Sequence, residues 1–349
     1  MHNLQLTDDQ QLIVDTVRKF VADAVAPLAQ ELDEHRRLPA EQFAGLGELG
    51  LFGLSVAEDA GGAGMGVLPF VAALEAVGEH SGSLASLWIS QVQCALALEA
   101  AGIGPLAESV AGTTACWVGP EHGIAFADGR LRGRARLVPA GAHAQHCVVA
   151  ATAEGVPVLV VVPGSAVGRQ AVRSLGLASA GCAALSFDSL PVSEVATGDS
   201  AQRAVARAGL AGLVGTAGAA VGGGSGAMAA AARHAAERIA FGKPLLAQEA
   251  VRRKLVDVRC RIDAARQLAW HAARLVDLGG DATAAAITAR LAAVEAMLHA
   301  ADEAIQIHGG FGYTVEYHVE RHYRDAATLE VLGGGGEALR SQLAALQLA

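Results

Sequence analysis

Gln306-Ile307-His308-Gly309-Gly310-Phe311-Gly312-Tyr313 runs a polar helix end into paired glycines. Glycines let backbone amides approach a phosphate or a sugar closely. Glu237-Arg238-Ile239-Ala240-Phe241-Gly242-Lys243-Pro244 sets an arginine at a helix end, then an aromatic, a glycine stop and a proline. Taken alone, that run is first of all a helix C-cap with a cation on the helix dipole. As a ligand site, Arg238 would offer its charge to an anion. Near the end, LEVLGGGGEALR holds four consecutive glycines between helical stretches. Each glycine costs about 0.8–1 kcal/mol relative to alanine inside a helix, so the helix breaks there. A slack connector and a close backbone approach to a ligand are both open.

These groups sit in a chain of 349 residues, enough for two or three packing units. Hydrophobic residues make up 52% but aromatics only 4%, so Ala, Val and Leu must fill the core. A formal charge of −9 argues against nucleic acid or an acidic membrane surface as partner. The five cysteines (Cys94, Cys116, Cys147, Cys182, Cys260) show no CxxC or metal-ligand spacing. Free thiols in a reducing cytoplasm are expected, and no metal site. The start, MHNLQLTDDQQ, is acidic where a signal peptide would be basic and apolar. Apolar stretches such as 201–236 are broken by Arg203, Arg207 and Arg233, which predicts buried helices rather than membrane spans.

Periodicity divides the chain into α, β and α regions. Thr7-Asp8-Asp9-Gln10 is a capping box, followed by Ile13, Val17, Phe20, Val21 and Ala24 at helical spacing. Pro27 predicts a stop or kink, and further helices fit from Pro39 to Gly50, over 67–80 and over 82–102. Residues 58–66 read as a loop. Residues 123–126 and 131–138 read as two strands joined by an Asp128-Gly129 turn, with more strands over 146–150, 156–162 and 183–187. Helices then fit 202–238, 245–278 and 281–307, with a short one after Tyr313 and a last one from Glu337. The expected fold is α+β and mostly α. It has an N-terminal helical domain over 1–110, a small β-barrel or sandwich over 111–198, and a C-terminal four-helix bundle over 199–349.

The strings AAERIAFGKPL and QIHGGFGYTVEYHVERHYRDA, together with the opening LTDDQQLIVDTVRKFVADAVAP through LGELGLFGLSVAEDAGGAGM, resemble the acyl-CoA dehydrogenase superfamily of flavoproteins over nearly the whole chain. The resemblance implies FAD lying between subunits of a homodimer, two of which make a homotetramer. It places Arg238, Phe241, Gln306, Gly309 and Gly310 at the cofactor. It implies an acyl thioester substrate, on CoA or an acyl carrier protein.

The sequence departs from the family where the chemistry is done. A base must take a proton α to the thioester carbonyl, a task suited to a carboxylate in an apolar pocket. The family's Tyr-Glu-Gly-Thr string corresponds here to Leu332-Gly333-Gly334-Gly335, so the base position is Gly333. The other family solution, a Glu on the helix before Arg238, meets Leu210 to Val214, with no carboxylate between Ser200 and Arg233. The arginine that neighbours this site in the family is also absent, with Leu213 nearest. Gly334 and Glu337 stand at positions that resemble cofactor contacts, although the threonine expected there is Gly335. The Thr-Glu-Pro…Gly-Ser-Asp loop is shortened to Val118-Gly119-Pro120-Glu121-His122-Gly123. The Trp-Ile-Thr contact is lost, with His146-Cys147-Val148 as the nearest replacement. Glu121 and His122 are candidates for a replacement acid/base, against the commoner reading of such loop charges as a solvated turn. His308 is a candidate helix-terminal cation.

Three activities fit this pattern. The first is an FAD-dependent acyl thioester oxidoreductase with an unusual base, as would suit carrier-bound units in secondary metabolism. The second is a flavin monooxygenase of the same fold. The third is a non-catalytic subunit completing the FAD interface of a catalytic homologue in a hetero-oligomer.

Overall fold

The computed structural model describes residues 5–348. The first four residues of the acidic start and Ala349 lie outside them. The helices α1 (Asp8–Phe20), α2 (Ala29–Glu34), α3 (Ala40–Glu48), α4 (Leu68–His80), α5 (Gly82–Ala101) and α6 (Leu106–Val110) come first. The strands β1 (Ala115–Val118), β2 (Ala125–Ala127), β3 (Arg130–Val138), β4 (His146–Ala153), β5 (Val156–Pro163), β6 (Gly168–Ala171), β7 (Ala183–Pro191) and β8 (Glu194–Ala196) follow. Then come α7 (Gly198–Glu237), the two-residue strands β9 (Ile239–Ala240) and β10 (Lys243–Pro244), α8 (Glu249–Asp277), α9 (Thr283–His308), α10 (Glu320–Val331) and α11 (Gly335–Leu348). The fold is α+β and mostly helical, with the sheet between two helical regions.

Local chemistry accounts for many boundaries. Thr7 accepts from the Gln10 amide while the Gln10 side chain accepts from the Thr7 amide, the reciprocal capping box that starts α1. Before Pro27 the helix widens into a π turn over Val21–Val25, and α2 begins only at Ala29. The β2–β3 turn has positive φ at both Asp128 and Gly129, the geometry that makes Asp-Gly a hairpin signal. The eight strands form one sheet with path β6-β7-β3-β2-β4-β5-β8, and β1 joins at β4. Strands β1, β6 and β8 were not expected. They are three or four residues long, too short for alternation to show.

One strand position is split, and this shapes the site. β1 lies parallel to β4 from Ala115↔His146 to Val118↔Val149, and β2 rejoins the same edge at Ala125↔Thr152. Between them the chain leaves the sheet as a helical turn over Pro120–His122.

The 40-residue α7 packs against α4, α5, α8 and α9. Its glycines explain how a helix this poor in large side chains holds its place. Gly218, Gly222 and Gly226 recur every four residues and face the carbonyls of Val71, Glu75 and Glu79, which recur every four residues on α4. A β-carbon at Gly222 would collide with the Glu75 carbonyl oxygen, so the two backbones touch directly. The segments 82–101, 198–237 and 283–313 are long and apolar enough to cross a membrane, and in the fold 56–78% of their most apolar windows is buried.

Overpacking a tight contact of this kind costs about 1–3 kcal/mol. Gly222→Ala is therefore expected to lower stability by about that much in chemical denaturation, whereas Gly209→Ala, where a β-carbon meets open space, is not. Equal midpoints for the two variants would overturn the contact.

Candidate active site

A cavity of about 420 Å³ opens where the split strand, α5, the first half of α7, α9 and the ends of α10 and α11 converge. Ile89, Leu137, Leu210, Leu213, Leu329, Leu332 and Leu339 give it an apolar wall. Several polar wall side chains are already bonded to protein. The Ser86 hydroxyl donates to Gly82 O at 2.9 Å. Ser90 Oγ accepts from the Trp117 amide at 3.0 Å, and Gln93 Nε2 donates to Ala208 O at 3.0 Å. Glu121, His122 and Arg290 form the charged and titratable end, next to Gly333.

The turn between β1 and β2 brings Glu121 and His122 inward. Glu121 folds back over Gly119, where a β-carbon would collide with its carboxylate. His122 Nε2 stands 3.6 Å from Glu121 Oε1, and the two side chains are 17% and 26% exposed. Burial lowers the His122 pKa from its ordinary value, and the Glu121 charge only partly offsets this. The imidazole is thus neutral at pH 7.

Arg290 escaped the sequence reading. It lies on α9 among Ala286, Ile287, Ala293 and Val294, a face otherwise wholly apolar, and is 5% exposed. That lone arginine at i±3 and i±4 from buried residues was the available signal. Its Nη2 donates to Leu329 O at 3.2 Å and also to Leu332 O, capping the C-terminus of α10. Burial pulls its pKa down, while Glu121 and Glu330 push it back up. An arginine remains a cation at this depth.

Gly333 adopts φ +57, and a β-carbon there would stand 2.9 Å from Arg290 Nη1. A β-carbon on Gly334 would stand 3.5 Å from Glu121 Cβ. Gly333 is thus part of the cavity wall, and Arg290 and Glu121 stand beside the places that side chains at 333 and 334 would take. The α7 segment Leu210–Leu213 also lines the cavity without a carboxylate.

The other predicted residues lie elsewhere. Glu337 is on α11 with its side chain 93% exposed, paired with Arg340 at 3.1 Å, and does not line the cavity. Arg238 follows α7 and is exposed, and Phe241, at the tip of the β9–β10 hairpin, is 94% exposed with φ +54. Gln306, Gly309 and Gly310 are exposed at the end of α9, near Tyr313, which is 89% exposed. The His308 ring stacks on His234 with centroids 4.2 Å apart, so the ends of α7 and α9 meet on one edge. His308 ends α9 as expected but is buried rather than exposed, with Nδ1 2.7 Å from Ala304 O. At the end of β3, Leu137 and Pro139 line the cavity. His146 instead pairs with Glu108 at 3.1 Å, and Cys147 packs against Cys116 with sulfurs 3.4 Å apart.

Comparison with known proteins places this architecture. Residues 7–103 match the acyl-CoA dehydrogenase N-terminal domain family and residues 211–348 its C-terminal domain family. The chain is 31% identical over 371 residues to the mitochondrial short-chain specific acyl-CoA dehydrogenase of Bos taurus, covering 97% of this chain and 90% of that one. Butyryl-CoA dehydrogenase from Megasphaera elsdenii superposes with TM-score 0.91 at 25% identity, covering both chains fully. A glutaryl-CoA dehydrogenase from Mycobacterium smegmatis, solved in complex with FADH2, shares the fold with TM-score 0.86 at 21% identity, over 99% of this chain and 96% of that one. The chain belongs to the acyl-CoA dehydrogenase family of FAD oxidoreductases.

Because φ is positive at Gly333, any L-residue there carries a left-handed strain of about 1–2 kcal/mol. Gly333→Ala is expected to lower stability by at least that amount in urea unfolding, since its methyl also displaces Arg290. A stability equal to that of the unsubstituted protein would overturn the placement of Arg290.

Proposed function

We propose that this chain is an FAD-dependent oxidoreductase of acyl thioesters, carried on CoA or an acyl carrier protein, with Glu121 as its acid–base group. The observation that carries the reading is the content of the cavity. Among its described lining residues, Glu121 is the one carboxylate and His122 the one imidazole, and both stand at the Gly333 end of an otherwise largely apolar space. Such a space suits an acyl chain with its reactive carbons at the polar end.

The exposed edge suits the cofactor. Arg238 and the open glycines Gly242, Gly309 and Gly310 offer charge and free backbone to a diphosphate, and Phe241 and Tyr313 offer exposed ring faces. Gln306 adds an exposed amide on the same edge. Arg238 lies about 37 Å along α7 from Leu213, at about 1.5 Å per residue. That span exceeds the reach of one dinucleotide, so the edge of one copy would serve the cavity of another. We therefore propose a homodimer or homotetramer, located in the cytoplasm.

When bound, FAD supplies acceptance of a hydride equivalent from the β-carbon. The chain supplies the rest. Glu121 takes the α-proton as the C–H bond breaks, its electron pair forms the α,β double bond, and the product is an enoyl thioester. His122 holds the carboxylate from one side. The apolar wall orients the acyl chain and excludes water from the reacting carbons.

The purified protein is expected to be yellow, and to bleach when an acyl thioester is added without oxygen. Glu121→Gln is expected to slow bleaching at least a hundredfold with FAD affinity unchanged. Arg238→Ala is expected to weaken FAD at least tenfold. A colourless protein that takes up no FAD would overturn the proposal. One observation favours a second reading, a subunit that completes the site of a catalytic homologue: Ser86, Ser90 and Gln93 are already committed to protein partners, which leaves few donors for a cofactor ring. Colour that develops only when the homologue is added would decide for it.

A further inference from the structure

The cavity holds a cation that the proposed proton transfer does not use. Arg290 is 95% buried, is the one arginine or lysine among the described lining residues, and is anchored through Nη2 to two carbonyls at the end of α10. Those bonds commit one nitrogen and fix the guanidinium plane. Nη1 is turned to Gly333, where only a hydrogen atom separates it from the cavity wall. The carboxylates that act on it are Glu121 and Glu330, and neither makes an ion pair with it within 4 Å among the described residues. Glu330 is instead 3.5 Å from Arg340. A helix cap alone would be met by an exposed side chain or by water. A buried guanidinium with Nη1 uncommitted on a mostly apolar cavity is instead an arrangement that receives an anion, by charge-assisted N–H donation from that nitrogen.

We infer that Arg290 anchors a carboxylate on the substrate itself, so that the preferred substrate is a carboxyacyl thioester, the mono-thioester of a dicarboxylic acid. This rests on the acyl thioester reading above and narrows its substrate class. The carboxylate lies at the Gly333 end, against Arg290 Nη1. Glu121 faces the same end and opposes a second negative charge, so the site discriminates by the fixed Nη1 donor of Arg290 and not by net charge. The absence of a side chain at 333 is what leaves room for the anion beside Nη1. A neutral acyl group of equal length would leave Nη1 without an acceptor, a penalty that builds selectivity into the pocket.

The test is calorimetric titration of the full-length protein, with FAD added, using three probes. These are succinyl-pantetheine, its terminal amide (the succinamoyl thioester) and butyryl-pantetheine. Succinyl-pantetheine is expected to bind at least tenfold more tightly than either neutral thioester. Arg290→Gln is expected to bring the three within about twofold of one another, with Arg290→Lys between. Because Arg290 also caps α10, circular dichroism must show the variants folded; if they are not, the ratio in the unsubstituted protein decides. Equal binding of acid and amide, or tightest binding of the butyryl thioester, would overturn the carboxylate anchor and leave the thioester reading standing. So would a tenfold preference that survives Arg290→Gln in a folded protein. Failure of all three probes to bind would overturn both.

Discussion

The direct contact between the backbones of α4 and α7 is the constraint on which the rest of this structure depends. Glycines at 218, 222 and 226 let a helix with few large side chains lie against the carbonyls of its neighbour. Once that distance is fixed, the whole 40-residue length of α7 is fixed too. Its first half becomes a wall of the cavity, and its far end presents Arg238 and the β9–β10 hairpin at the molecular edge. A glycine-rich helix would be a poor choice in isolation, at roughly 1 kcal/mol per glycine relative to alanine. Here close packing with α4, α5, α8 and α9 offsets that cost, and tertiary contact overrides propensity.

The second constraint is the split strand beside β4. A continuous strand would keep every residue in the plane of the sheet. Breaking the pairing after Val118 and resuming it at Ala125 frees Pro120–His122 to project from the sheet. The projection is short, and so its two titratable side chains reach only as far as the ends of α9 and α10. That is enough to bring Glu121 beside Gly334 and within the field of Arg290.

Much of this was legible in the sequence, and what was not has identifiable causes. The long helices announced themselves by caps and periodicity, as at Thr7–Gln10, and the β2–β3 hairpin by Asp128-Gly129. Short strands such as β6 and β8 lack the length for a pattern and exist because neighbours pair with them. Residues 245–247 were counted into α8, but they form a separate turn after Pro244. The glycine run was placed at the site by resemblance, and Glu121 and His122 were singled out by their loop. Arg290 was missed because it sits 43 positions before Gly333 in an alanine-rich helix, and proximity of that kind is created by packing alone. The edge residues lie together because Arg238 follows α7 and Gln306 is in the last turn of α9, and the ends of these two helices meet at His234 and His308.

Gly333 and Arg290 depend on each other through direct contact. A side chain at 333 would press on Nη1, and a left-handed backbone there already disfavours one. Conversely, with no arginine at 290, the carbonyls of Leu329 and Leu332 would end α10 in a buried place with fewer partners, a costly condition. Through its bonds to α10, Arg290 supplies part of the local stability, and the bare backbone at 333 leaves its Nη1 open. Under the proposed function the acid–base role falls to Glu121, the one carboxylate among the described wall residues, and the projection of the split strand is what brings it to the cavity.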